Sequence, residues 1–527
     1  MDSQLAGSPD AQSWGVDPGY WDIAGRWRDA PSGTIAAILE AMGARSPSPP
    51  EDRPMIVVAQ GESWPELPPG TLVLEDGGST EWGPQELASY EVPIGYHLLE
   101  PAGPGGHEET GGRRTGDLPV SLAVCPARCP SPAGAAIRSW GWAAQLYAAR
   151  SGQSWGIGDF ADLRRLAAWS GRHGAGFMLL NPLHAPQPGP DPGPSPYFPS
   201  SRCFFNPLYL RVEDVPGAAD LPGLDRLAAD GRYLNGDRLI DRRRVWELKS
   251  GALEALFERF ENAGGDRRFA EYVAQRGSVL DGYSTFCALA EQHGVPWQSW
   301  PAELRHPDSP AAARFASGRK GGRRKRYHAW LQWNCERQLA SAGGPGLLID
   351  LAVGVDGGGA DAWLWQDVYA MGMGVGAPPD DFNVAGQDWS LPPWDPWLLR
   401  GAAYAPYIET LRAAMRHAAG LRLDHVMGLF RLFWIPQGCE PSQGAYVHYP
   451  WRDMVNLLCL EAWRAGAFVV GEDLGTVEDY VRAALLGAGV LSYRLAWFEA
   501  AVGNAAACSE TLGRSRRRIS SKLMTST

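Results

Sequence analysis

The chain has 527 residues, 45% of them hydrophobic and 20% charged, which fits a globular protein large enough for more than one domain. Its formal net charge of −11 repels nucleic acid and anionic membrane rather than attracting them. No N-terminal stretch joins a basic start to an apolar core of signal-peptide length, and no run approaches the roughly 18 apolar residues a membrane helix needs. The expected location is cytoplasmic, without nucleic-acid or membrane partners.

In chain order, residues 1–45 read as a small helical segment. Gly33 to Met42 (GTIAAILEAM) sets apolar residues at helical spacing before a stop at Gly43, after an aromatic patch of Tyr20, Trp21 and Trp27. A Pro-rich linker, 46–54, comes next. Over 55–130 the short apolar runs MIVVA (55–59), TLVLE (71–75), YEVPIGYHLLE (90–100) and PVSLAV (119–124) are separated by Gly/Pro turns, which predicts a small β-sandwich. Gly103 to Asp117 reads as a Gly-rich hairpin loop.

From 138 to 499 strands alternate with helices, the signature of a parallel β/α barrel. The strand candidates are Gly141–Tyr147, Gly176–Leu183, Gly346–Val353, Gly420–Asp424, Ala467–Glu472 and Val490–Ala496. Amphipathic helices are expected at Asp159–His173, Val245–Ala263, Arg267–Gln292 and Tyr404–Ala419, with long loop-like excursions at 184–240 and 356–400. A closed TIM-type (β/α)8 barrel needs eight strands, so the fold read here is an incomplete one with about six. The basic run Arg319 to Arg326 reads as a solvated, Gly-interrupted loop ahead of a helix at Tyr327 to Leu339. The eight cysteines are scattered, with Cys125 and Cys129 the nearest approach to a metal pair and no second pair beside them, so reduced thiols are expected. Many of the 23 tryptophans, among them Trp140, Trp142, Trp155, Trp389, Trp394 and Trp397, stand in Gly/Pro contexts. Flat indole faces suit the apolar faces of sugar rings while the N–H stays free to donate.

Two stretches carry the chemistry. Leu421-Arg422-Leu423-Asp424-His425 and Val469-Val470-Gly471-Glu472-Asp473 each run a short apolar strand into a carboxylate, and strand C-terminal ends are where barrel enzymes place their active sites. Cleavage of a glycosidic bond with retention needs one ionised carboxylate as nucleophile and one protonated acid for the leaving oxygen. Asp424 and Glu472 are separated by enough chain for one strand, one helix and its loops, so neighbouring strand ends fit them. Arg422, two residues before Asp424, shares its strand face and favours its ionised form.

Several segments together make a resemblance specific: Ser139–Asp159 (SWGWAAQLYAARSGQSWGIGD), Ser195-Pro196-Tyr197 with Phe205–Tyr209, Gly376–Asp380 with Gly386–Trp389, Leu421–Arg431 (LRLDHVMGLFR) and Gly471–Thr476 (GEDLGT). Over roughly residues 14–499 the chain resembles the amylomaltases, the 4-α-glucanotransferases or disproportionating enzymes of the α-amylase clan. The resemblance implies Asp424 as nucleophile, Glu472 as acid and then base, and Arg422 as the residue that holds and ionises Asp424. It also implies Tyr197 stacking on the sugar at the cleavage subsite, Asp356 contacting that same sugar, and Asp473 supporting the site by hydrogen bonds. Trp389, with Gly386–Asp388, would belong to a loop that overhangs the acceptor sugars. The implied partners are α-1,4-glucans, and no metal or organic cofactor is expected.

The family pattern also carries a third acid, an Asp following a His at the end of the seventh strand. After Asp479 the chain has no Asp and no His. Residues 500–527, with a basic cluster at Arg514, Arg516, Arg517 and Arg518, read as an unrelated, disordered tail, as if the reading frame were shifted or cut short. The function expected is therefore glucan transfer. A catalytically impaired glucan-binding member or an α-glucan hydrolase are the alternatives. A nucleotide enzyme has only Gly357-Gly358-Gly359 in its favour, without G-x-G-x-x-G spacing or a phosphate-loop lysine.

Overall fold

In a computed structural model, residues 9–495 are described except 23–24, 52, 66, 84–91, 103–118, 133–138, 344–345, 381–382 and 475–476, and the strand Ile519–Ser521 is described beyond them. All six strands expected between 138 and 499 form: β1 (Gly141–Ala144), β2 (Phe177–Leu180), β3 (Gly346–Leu351), β4 (Gly420–Leu423), β5 (Phe468–Gly471) and β6 (Leu491–Leu495). The chain divides into two compact units, one of Met1–Ala133, Asp367–Arg412 and His425–Ser492, the other of Gly134–Gln366, Ala413–Asp424 and Tyr493–Thr527.

In the second unit β1, β2, β3 and β4 pair in sequence order, all parallel, with Gly141 and Gly346 both opposite Phe177 and Leu348 opposite Gly420. Strands covered on both faces must be apolar nearly throughout, and Met178, Leu180, Leu347, Ile349 and Leu421 are all buried. The helix Phe160–Arg172 joins β1 to β2. Its N-cap Asp159 and Asp162 form a reciprocal capping box. Arg211 lies against both acids, at 2.5 Å from Asp159 and 3.3 Å from Asp162. The fully buried Lys249 donates to the carbonyls of Leu208 and Leu210 at 2.6 and 2.8 Å.

The basic run at 319–326, expected as a loop, is helical: one helix spans Arg319–Ala340. Its charges are met by acids on the helices Arg242–Asn262 and Arg267–His293. Arg324 pairs with Glu291 at 2.5 Å and lies over the Tyr327 ring, Lys325 reaches Asp281 at 2.6 Å and Arg326 reaches Glu261 at 2.7 Å. Neutralisation from outside the run lets like charges share a helix. Gly321 suits the close turn there, since a Cβ would meet the Phe315 carbonyl oxygen at 2.1 Å.

In the first unit the helix expected at Gly33–Met42 is Ser32–Ala41, preceded by a hairpin of Gly19–Trp21 and Trp27–Asp29. The described part of 55–125 forms a single five-stranded sheet in place of two stacked sheets. Its order is Met55–Ala59, Val120–Cys125, Gly95–Pro101, Gly70–Val73, Ser79–Trp82, with the first pair parallel and the rest antiparallel. Val58, Leu72, Trp82, Leu99, Leu122 and Val124 fill one face of it. Gly103 to Asp117, expected as a hairpin loop, lies outside the described residues. A second, antiparallel sheet runs Gln387–Leu391, Met373–Ala377, Arg431–Pro436, Ala445–His448. Tyr20 packs edge-on against Phe433 of that sheet. β5 and β6 pair parallel in this unit, with Gly471 opposite Ser492.

Of the expected tail, Ile519–Ser521 pairs parallel with β6, Tyr493 opposite Ile519. The arginine cluster at 514–518 lies outside the described residues. The seven described cysteines are free thiols.

Candidate active site

Four side chains of the second unit form one charge cluster. Leu421 and Leu423 are buried, so strand alternation turns Arg422 and the following Asp424 to the other face. The parallel register of β3 and β4 sets Asp350 opposite Arg422, and the backbone N–H of Asp424 continues the ladder to the Leu351 carbonyl at 3.1 Å. Arg422 Nη1 donates to Asp350 Oδ1 at 2.5 Å, while Nη2 meets Asp424 Oδ1 at 3.0 Å. Tyr197 Oη donates to Asp350 Oδ2 at 2.7 Å. One guanidinium thus spans two carboxylates, and one carboxylate takes both a cation and a phenol.

Burial decides the titration of this cluster. Asp350 is only 3% exposed, and burial pushes its carboxyl up to about 6, with Arg422 pulling it back and the Asp424 charge adding to the rise. For Arg422 burial works against the charge, yet Asp350 and Asp424 outweigh it and hold the guanidinium more firmly protonated than usual. Burial first, and then the Asp350 charge, raises the Tyr197 phenol far above its ordinary value, so it stays a donor. Asp424 keeps a side chain 24% exposed, open enough to be approached.

A second group forms in the first unit. β5 is buried at every position and ends in Gly471, where a Cβ would meet three carbons of Val426 at 3.0 Å. Glu472 follows. Its Oε2 accepts the backbone N–H of His425 at 3.1 Å, its Oε1 that of Leu474 at 2.9 Å, and its carbonyl that of Val426 at 3.0 Å. The imidazole of His425 meets the Trp389 ring edge-to-face, with centroids 5.3 Å apart and planes at 78°. Trp389 Nε1 donates to Gln387 Oε1 at 3.2 Å. Asp473 accepts from Ser492 Oγ with both oxygens, at 2.9 and 2.7 Å. The peptide bond between Asp424 and His425 is where the chain passes from one group to the other.

Asp356 belongs to the same unit as Arg422 but lies outside that unit's strands. It lies five residues beyond the end of β3, and its carboxylate accepts from Gln187 Nε2 and from the Gly358 N–H, each at 2.8 Å. The third-strand acid that meets Arg422 is Asp350, which the sequence reading passed over. Its signal was there: a single charge inside the otherwise apolar strand GLLIDL. His425, too, has no role in the sequence analysis beyond following Asp424. Among the described residues no group of three or more His, Cys, Asp or Glu is placed to hold a metal ion, and no helix is long and apolar enough to cross a membrane.

The profile of the family described as 4-alpha-glucanotransferase matches residues 144–516. A 4-alpha-glucanotransferase of Mycobacterium tuberculosis is 39% identical over 93% of this chain and 75% of its own length. This chain belongs to the 4-alpha-glucanotransferase family. A family member from Haemophilus influenzae is 38% identical over 68% of the chain and 55% of its own length. Among solved structures, the amylomaltase from Corynebacterium glutamicum superposes with a TM-score of 0.76 at 33% identity, covering 94% of this chain and 75% of that one. Amylomaltase from Streptococcus agalactiae, solved with acarbose, shares the fold at a TM-score of 0.60 and 17% identity, covering 70% of this chain and 76% of that one. The likeness to amylomaltase and the parallel run β1 to β4 give the 4-alpha-glucanotransferase fold here as an incomplete TIM-type α/β one.

Proposed function

We propose that the chain transfers α-1,4-glucan segments between maltodextrins by a retaining double displacement. Asp424 attacks the anomeric carbon as the donor bond breaks, Glu472 gives its proton to the departing glucan oxygen, and the glycosyl unit is held as an ester on Asp424. Glu472 then takes the proton from an acceptor hydroxyl, which displaces Asp424. Tyr197 stacks on the donor sugar, Asp356 and Asp473 contribute hydrogen bonds at the site, and Trp389 covers the acceptor. The reaction belongs to the cytoplasm, where free thiols such as those here persist.

The observation that carries the reading is the position of Arg422. A carboxylate nucleophile must be aimed, and Arg422 lies 3.0 Å from Asp424 in a place pinned by Asp350. The relatives compared above are named for glucan transfer, which favours it over hydrolysis and over an impaired glucan-binding chain. Incubation with maltotriose tests the proposal. Transfer yields glucose together with longer oligosaccharides, and Asp424→Asn should lower their formation by at least about a thousandfold, the scale of losing a covalent nucleophile. Maltose and glucose without elongation would reassign the chain as a hydrolase, and no turnover would leave it a glucan binder.

A further inference from the structure

We infer that Tyr493 is a positioning residue: its ring lies over the guanidinium of Arg422 and fixes the plane in which that cation meets the nucleophile Asp424. The inference rests on the transferase reading and goes beyond it, because it gives a part in the reaction to a side chain that makes and breaks no bond.

Tyr493 stands in the middle of β6 and is the one buried residue of that strand. Strand alternation turns it away from its neighbours Ser492 and Arg494, and Ser492 is already engaged by Asp473. Within the second unit, Arg422 Cζ lies 5.2 Å from the centre of the Tyr493 ring, inside the roughly 6 Å over which an aromatic face holds a cation. Both partners are largely out of water, the tyrosine 7% exposed and the arginine side chain 12%. A contact of this kind is stronger there than at an open surface.

The shape of the guanidinium gives the ring a purpose. The group is planar, with its donors in the plane, and Nη1 on Asp350 and Nη2 on Asp424 use two of them. Two contacts made by the terminal nitrogens hold the group along one edge and leave it free to tilt about the line that joins them. A ring over Cζ closes that freedom, since tilting lifts the cation off the aromatic face. A third carboxylate in this place would compete for the guanidinium with Asp350 and Asp424, whereas a ring attracts it through a quadrupole that carries no net charge. With Oδ1 of Asp424 on Nη2, the direction of the other carboxylate oxygen follows the plane of the fork, and aim is what a nucleophile in a fixed site must have.

The test is turnover of maltotriose by variants of the full chain, each assayed below its melting transition. Tyr493→Leu deletes the ring and should lower kcat about five- to thirtyfold, the scale of one desolvated cation–π contact, with KM little changed because the ring is assigned no sugar. Tyr493→Met takes its place should that variant not fold. Tyr493→Phe keeps the aromatic face and should lose no more than about twofold. Combined with Arg422→Lys, which lacks the planar fork, Tyr493→Leu should cost less than it does alone. An unchanged kcat in Tyr493→Leu, equal losses in the Phe and Leu variants, or costs that simply multiply overturn the inference. A wild-type chain that elongates no maltotriose defeats the transferase reading separately. The contact is then read without turnover, from urea unfolding of the wild type, the two single variants and the double variant. The factor by which Tyr493→Leu raises the unfolding equilibrium constant should be at least about twofold smaller in the Arg422→Lys background than in the wild type, and equal factors refute the proposal.

Discussion

Replacing Asp350 by Asn removes the charge that pins Arg422 while keeping size and hydrogen-bonding capacity. In the wild type the folded carboxyl is pushed from the ordinary 3.8 up to about 6 by burial, only partly offset by Arg422. In the unfolded chain it ionises at its ordinary value. Between those two values the folded protein binds more protons than the unfolded one, so the stability contributed by this group is fully present below 3.8 and lost as pH rises through about 6. The displacement corresponds to about 3 kcal/mol, and Asn does not titrate. The advantage of wild type over Asp350→Asn in unfolding free energy should therefore shrink by about 2 kcal/mol between about pH 4, where the unfolded carboxyl is already more than half ionised, and about pH 7.5. Asp361 and Asp395, also buried and pushed up to about 6, titrate alike in both proteins and drop out of the difference. Urea unfolding followed by circular dichroism at the two pH values measures it. A difference that stays constant, or grows toward high pH, refutes the view that burial outweighs Arg422 at this carboxylate. In the maltotriose assay the same variant costs Arg422 one charge-assisted hydrogen bond, worth about 1.5–3 kcal/mol. Transfer should accordingly fall about ten- to a hundredfold.

Arg422→Lys keeps the positive charge but loses the planar fork that spans Asp350 and Asp424, so kcat/KM for maltotriose should drop about tenfold or more although the net charge is unchanged; a variant with wild-type kcat/KM would show that charge alone suffices. Gly471→Ala drives a methyl into Val426, whose three nearest carbons lie at 3.0 Å, and should cost about 1–3 kcal/mol of stability. Because Glu472 is the next residue, transfer should fall along with the melting temperature. Full activity in a destabilised variant would mean that the acid is not placed by this contact.

The parallel strands β2 to β5 were legible because each is short, largely apolar and mostly buried, so its composition marks it, and the acids Asp424 and Glu472 stand out where the runs of β4 and β5 stop. The excursion 356–400 hid two strands for the opposite reason. Met373–Ala377 reads MGVGA because the neighbouring strand lies close: a Cβ on Gly376 would meet the Gln387 carbonyl oxygen at 2.0 Å, and one on Gly374 would meet Asp388 Oδ1 at 2.9 Å. The glycines that permit this pairing also erase the β-branched pattern by which a strand is recognised. Burial of one sheet face against a helix or against a second sheet leaves the same alternating pattern, so the five-stranded sheet of 55–125 and a sandwich look alike in sequence.

What stayed hidden at the site is of one kind. The meaning of a charge depended on a partner that the chain supplies from far away. The arginines and lysines at 319–326 resemble a solvated loop until Glu261, Asp281 and Glu291 stand beside them. Asp350 resembles an intrusion into a strand until the parallel register places Arg422 opposite. In both cases local propensity was a poor guide because electrostatic complementarity acts across elements. A buried carboxylate without a partner would be neutralised or expelled, so its place in GLLIDL already demanded a cation. The nearest one that could share a strand face with a candidate nucleophile was Arg422. Reading the demand from Asp350 together with the supply at Arg422 brings β3 beside β4 from charge alone. It also turns a pair of acids at strand ends into a nucleophile aimed by a guanidinium that is itself held in place.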